Sequence, residues 1–327
     1  MFFKSIQLLR AVAAIYITLF HISYWWNTNN VSSPHIFDIG FSAVDLFFVI
    51  SGFVLFQSAS GYLQGAKEGF YFFIKRLLRI YPLYWTILVI CISFGIYKLS
   101  SVSVPEFLGI WILYPNSRFF IYSTWTISYE VFFYILLSLY VFNHRAKWGF
   151  FILLLLSILS IVKKYFHMQI SLPEIGIYNE FVFEFFLGIL VAKIYKNIPI
   201  WFALFLVISG FYFFFFPLMR QPVYGIVYGL PAAFILFGLT NLEYNKKIIV
   251  PSWIVRIGNA SYVLYLIHQP LIEMILPQLH FPSSVNRICY LLVILFVIVI
   301  SVIIHVLIEK PMLNYFNVRL RELCNRN

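Results

Sequence analysis

The sequence predicts an all-α fold: a polytopic transmembrane helical bundle of about ten spans, both termini cytoplasmic. Three observations predict it. Apolar residues make up 62% of the 327-residue chain and charged residues only 11%, under half the roughly 25% usual for soluble domains. Mean hydropathy is +0.90, and 21% of the residues are aromatic. The apolar residues also fall into runs near the ~20 residues that a helix needs to cross a bilayer. A water-soluble fold needs more polar surface than this, and a disordered chain is poor in aromatics. Three Cys in this length exclude a disulfide-stapled module.

The spans read, in order, as 6–26, 41–57, 83–97, 124–142, 148–162, 178–195, 200–216, 223–240, 256–276 and 288–308. In the first, the small residues Ala11-Val12-Ala13-Ala14 precede the main apolar run. A cleaved signal has the reverse order, so an uncleaved span is expected. The third and fifth are short and call for a thinned membrane or little tilt. Residues 107–114 read as a re-entrant or interfacial piece. The links carry Asn27-Thr28-Asn29-Asn30, Pro34, Pro173, Pro199, Pro217, Pro251 and Pro282. No internal repeat or soluble insert is visible, so residues 1–327 read as a single domain. Cys91 and Cys289 lie in apolar runs and Cys324 in a polar tail; core and tail thiols are expected.

Net charge is +11. In a soluble protein this would suggest nucleic acid. In a membrane protein Lys and Arg collect in cytoplasmic loops, and no nucleic-acid partner is expected. With ten spans and both ends inside, the outer side holds only Lys98, Arg118, Lys163, Lys164, Arg220 and Arg287. Arg10 lies within the first span, and the other basic residues fall inside. An odd number of spans would spoil that bias.

A charge at the bilayer centre costs at least ~2.5–3.5 kcal/mol on insertion scales, so each one needs a reason. Arg10 lies near the inner end of the first span. His21 follows eleven residues later, about three turns and ~16 Å on, on the same face. Asp45, Glu130, Glu180 and Glu184 lie near the outer starts of inward-running spans, and His268 near the outer end of an outward-running one. Together they suggest a polar chamber open to the exterior. Glu180 and Glu184, four apart, share a helical face and read as supporting residues. His305, beside Glu309-Lys310-Pro311, reads as interfacial.

On the inner side stands Lys75-Arg76-Leu77-Leu78-Arg79-Ile80-Tyr81-Pro82. Arg76 and Arg79, three apart, are neighbours on one face. Arg forks bind phosphate bidentately. The cluster reads either as an anchor to anionic membrane lipid or as a site for a phosphorylated cofactor. No Walker loop, G-x-G-x-x-G, H-E-x-x-H or Cys/His metal pattern is present, and no metal is expected.

Five elements together resemble one family, the membrane acyltransferase-3 group of integral membrane O-acyltransferases. They are Arg10 with His21 after ten intervening residues; Asp45-Leu46-Phe47-Phe48-Val49-Ile50-Ser51-Gly52-Phe53; Arg76-x-x-Arg79 leading into Tyr81-Pro82; Thr124-Trp125-Thr126-Ile127-Ser128-Tyr129-Glu130; and Ser261-Tyr262-Val263-Leu264-Tyr265-Leu266-Ile267-His268-Gln269-Pro270. Thr126 stands where Ser is commoner. Residues 5–10 and 39–52 look most like the subgroup that acetylates bacterial exopolysaccharides and other surface glycans.

The resemblance implies a multi-pass protein of the bacterial cytoplasmic (inner) membrane. Acetyl-CoA would be the donor, and a hydroxyl of a polysaccharide or lipid-linked sugar the acceptor. Histidine suits removal of a proton from an alcohol near neutral pH, so His21 is expected to act as general base or transient acyl carrier. Glu130 or Asp45 would orient it; Glu130 is favoured because its motif ends there. Arg10 would bind the thioester carbonyl or a CoA phosphate, and Lys75, Arg76 and Arg79 the CoA phosphates. Trp125, Ser128, Tyr265 and His268 would face the acceptor. The alternative class is a transporter or flippase for a glycan or small acid, using the same chamber without covalent chemistry. It lacks the expected inverted-repeat symmetry.

Overall fold

The structure is a computed structural model; it describes residues 2–28, 34–115, 119–168, 179–217, 225–278 and 286–325. Among the described residues there are helices and no strands. In chain order they are α1 (Lys4–Thr28), α2 (Ala43–Ala59), α3 (Ala66–Ser93), α4 (Val104–Trp111), α5 (Trp125–Phe142), α6 (Lys147–Tyr165), α7 (Glu180–Ile194), α8 (Ile200–Phe215), α9 (Leu230–Tyr244), α10 (Ser252–Asn259), α11 (Ser261–Ile275), α12 (Asn286–Ile304) and α13 (Lys310–Asn325). Each segment expected to span is helical over most of its length. Among the described residues, seven helical stretches are long and apolar enough to cross a membrane. Among the rest, α7, α8 and α11 have 15 or 16 residues. Large apolar side chains lie exposed along single helices, as Trp201, Leu204, Phe205 and Ile208 do on α8. In water such a stripe would aggregate; in lipid it is solvated.

Three boundaries differ from the sequence reading. The third span begins at Ala66, not 83, and α3 runs through Pro82 to Ser93. At ~1.5 Å per residue it is about 42 Å long. Lys75, Arg76 and Arg79 therefore sit on the helix itself. The segment read as 256–276 is two helices, α10 and α11, parted at Ala260. The last helix continues beyond 308 through a π-turn at His305–Glu309 into α13. A proline within a helix crowds the carbonyl four residues earlier; the widened turn sits immediately before Pro311.

The chain forms two compact units, each drawn from separate stretches. Unit 1 comprises Met1–Ala13, Ser42–Phe70 and Ile135–Gly258; unit 2 comprises Ala14–Phe41, Tyr71–Tyr134 and Asn259–Asn327.

In unit 1, α2 packs along α7 and α8 along α9. Gly52 and Gly188 allow the first pairing. A Cβ on Gly52 would run into the Phe185 carbonyl, and one on Gly188 into the Val49 carbonyl. Small residues let membrane helices approach closely where no hydrophobic effect drives them together. The N-terminus of α1 is closed by Glu243, whose carboxylate accepts from the Lys4 and Ser5 amides at 2.7 Å each. An anion there satisfies orphan N–H groups and suits the helix dipole.

In unit 2, α4 begins with a capping box: Glu106 accepts from the Ser103 amide at 2.8 Å. Its last carbonyls are taken up by side chains of α3. Tyr81 donates to Ile112 O at 2.6 Å, Tyr84 to Ile110 O at 2.7 Å, and Trp85 to Trp111 O at 2.9 Å. Eight residues cannot span a bilayer, so α4 is a short piece held by α3.

Candidate active site

Unit 2 brings His21 of α1 beside His268 of α11. Their ring centroids are 5.2 Å apart and their planes 43° apart. His268 is fully buried. Its Nδ1 lies 3.2 Å from the Leu264 carbonyl, one turn back. A carbonyl only accepts, so that contact assigns the proton to Nδ1 and leaves the lone pair on Nε2. Nε2 has no hydrogen-bond partner among the described residues.

The start of α5 is bonded to α11 around this pair. The Tyr265 ring lies 5.7 Å from that of His268, and Tyr265 Oη is 2.8 Å from Thr126 Oγ1. Ser123 donates its hydroxyl to the Tyr265 carbonyl at 3.2 Å and its amide to Gln269 Oε1 at 3.1 Å. The Trp125-to-Glu130 motif and the Tyr262-to-Pro270 motif are therefore one hydrogen-bonded assembly. Within it, Trp125 is half-buried against Tyr129, edge to face, with centroids 6.1 Å apart. Ser128 is buried and donates to the Trp125 carbonyl on its own helix. That bond occupies the proton expected to face the acceptor.

Glu130 accepts from Tyr134 Oη at 2.6 Å, one turn on along α5. Among the described residues no hydrogen bond joins it to His21; the group beside His21 is His268. Tyr134 is fully buried and lies within electrostatic reach of Arg76 and Arg79. Arg76 stands over the Phe72 ring at 5.4 Å, and Lys75 over Tyr71 at 5.8 Å. Tyr262 ties α11 to the Arg-bearing helix by donating to Ile80 O at 2.9 Å. It lies within electrostatic reach of Arg79, Glu130 and Glu309. Tyr134 and Tyr262 thus each lie within electrostatic reach of both Glu130 and Arg79, groups read from sequence as high and low in the membrane.

Asp45 and Arg10 belong to unit 1. Asp45 is buried near Glu184 of α7, itself fully buried, and both feel the charge of Glu180. Glu180 is paired with Lys164 at 2.9 Å. Arg10 is half-buried on α1, three turns before His21.

Two pairings escaped the sequence reading. Tyr134 holds Glu130, and Glu309, 1% exposed, accepts from or shares a proton with His305 Nδ1 at 2.6 Å. His305 is thus paired one turn on along its own helix. The available signal was spacing: each pair is four residues apart on one helix.

A family model described as an acyltransferase domain matches residues 3–307. No curated protein and no solved structure matches the chain. The matched segment takes in the His pair, the Arg pair and every motif quoted above, and the chain belongs to the acyltransferase-3 family of integral membrane acyltransferases.

Proposed function

We propose that this acyltransferase moves an acetyl group from cytoplasmic acetyl-CoA to a hydroxyl of a surface polysaccharide or lipid-linked glycan, in the bacterial inner membrane. The observation that carries the reading is the imidazole pair of His21 and His268 beside a hydroxyl-bearing Tyr265–Thr126 contact.

His21 accepts the proton of the sugar hydroxyl as its oxygen attacks the thioester carbonyl. The C–O bond forms, the C–S bond breaks, and the proton passes to the departing thiolate. In the variant of the same chemistry with an acyl carrier, His21 nitrogen makes the first attack and the sugar hydroxyl the second. His268, its tautomer set by Leu264, offers a second nitrogen to receive or relay that proton. Glu130 shares the unit of His21 and adds negative charge close to Tyr134 and the Arg pair. Lys75, Arg76 and Arg79 bind the donor's phosphates, for which forked guanidinium groups are suited. Trp125 and Tyr265 offer the aromatic faces against which a sugar ring packs.

The test is direct. Purified protein in lipid is given radiolabelled acetyl-CoA and extracted cell-surface glycan. Label on the glycan, with free CoA released in equal amount, is the expected result. Movement of unlabelled glycan across the membrane without acetyl transfer would replace this reading with a transporter.

A further inference from the structure

Helix α11 carries its polar side chains in a definite order. Its first turn is tied to the Arg-bearing helix, where Tyr262 donates to the carbonyl of Ile80, the residue after Arg79. Six residues on lies His268, fully buried and beside His21. Gln269, next in the chain, is half-buried, and Glu273, one turn beyond it, is exposed. At ~1.5 Å per residue Glu273 stands about 7.5 Å past His268, on the side away from the bond to Ile80. That is a length one sugar ring with its hydroxyls can span.

Both ends of the Gln269 amide are engaged. Its Oε1 accepts from the Ser123 amide at 3.1 Å, and its Nε2 donates to Glu273 Oε1 at 3.2 Å. A backbone N–H only donates, so the first contact fixes which end of the amide is oxygen and turns the donor end to Glu273. Ser123 belongs to the turn Tyr122–Thr124, which packs on α11. Tyr97, stacked on Phe120 with centroids 5.5 Å apart, lies within reach of the same carboxylate. A carboxylate has about four lone-pair sites. Gln269 takes one and the Tyr97 hydroxyl suits a second. Among the described residues no cation is paired with Glu273. Its remaining capacity is for donors, and a sugar's adjacent hydroxyls are donors.

We propose that Glu273, positioned by Gln269, is an acceptor-recognition residue. Its carboxylate accepts hydrogen bonds from a pair of sugar hydroxyls while another hydroxyl of the same ring meets the histidine pair. The site then takes a neutral sugar and rejects one that places a carboxylate or phosphate there, because like charges repel. The inference rests on the acyl-transfer reading above and adds to it the class of acceptor.

The experiment measures initial rates with the full chain in lipid, using labelled acetyl-CoA and extracted cell-surface glycan as probe, each varied in turn. Glu273→Gln should raise the KM for glycan roughly five- to tenfold, the worth of a hydrogen bond to a charged acceptor. The KM for acetyl-CoA and kcat should stay within about twofold, since only acceptor binding is touched. Gln269→Met keeps the length of the side chain but frees the carboxylate, and should raise the same KM by a smaller factor. Glu322→Gln, an acid paired with Arg319 on α13, should change neither. An unchanged glycan KM in Glu273→Gln, or a loss confined to kcat or to the acetyl-CoA KM, overturns the assignment and leaves acetyl transfer standing. If the parent protein places no label on glycan, the transfer reading falls and this inference falls with it. Thermal unfolding accompanies each variant. Should Glu273→Gln fail to fold, Gln269→Met decides, and an unchanged glycan KM there overturns the proposal.

Discussion

The imidazoles of His21 and His268 stand with ring centroids 5.2 Å apart, and the proton on the buried ring is directed to the Leu264 carbonyl. Two histidines from the first and eleventh helices thus form the pair on which acyl chemistry is proposed to run.

Replacing either ring tests whether the two act as one device. His21→Ala should lower acetyl transfer by at least ~10²-fold, the typical share of a positioned acid or base. The double variant His21→Ala/His268→Ala should lose little more than His21→Ala alone, because groups that act together are not additive. Initial rates with labelled donor check both, with membrane insertion followed by protease protection. Multiplying losses would show two independent roles.

Tyr134, fully buried, and Glu130, half-buried, are joined at 2.6 Å. Tyr134→Phe deletes the donor and leaves a carboxylate short of a partner. A stability loss of about 1–3 kcal/mol is expected, seen as a lower midpoint in thermal unfolding. Glu130→Gln keeps the shape and removes the charge. Its fold should persist while transfer falls, and a variant as active as the parent would remove Glu130 from the machinery.

Unit 1 offers a packing test. Gly188→Ala places a Cβ against the Val49 carbonyl, whereas a Cβ on Gly149 meets nothing within 4 Å. Gly188→Ala should destabilise by about 1–3 kcal/mol or more, as overpacking does. Gly149→Ala should behave as the parent. Unfolding midpoints in one detergent compare them.

Glu243 closes the start of α1 with two bonds of 2.7 Å. Glu243→Ala should cost about 0.5–2 kcal/mol, as loss of a helix cap does. Amide exchange should rise first at Lys4 and Ser5. Unchanged exchange there would mean that solvent serves those amides equally well.

Much of this was written in the chain. A bilayer accepts little besides helices of apolar residues, so composition and run length determined an all-α membrane protein and placed its helices. The motifs around His21, Glu130 and His268 pointed to the family for a related reason, since ionisable groups are rare inside spans and therefore conspicuous. The early start of α3 was hidden because residues 66–82 are mixed in polarity and end on Pro82, which normally stops a helix. There the hydroxyl of Thr86 takes up the Pro82 carbonyl at 2.8 Å, and Tyr81, Tyr84 and Trp85 fasten the same stretch to α4. What tertiary structure alone decided was partnership. His21 meets His268, Tyr265 meets Thr126, and Tyr262 meets the Ile80 carbonyl. The last of these and the first join residues far apart in sequence, and no periodicity within one helix states which face of another will lie against it. That choice belongs to packing, where close glycine contacts and buried hydrogen bonds select one arrangement of helices that lipid alone would not distinguish.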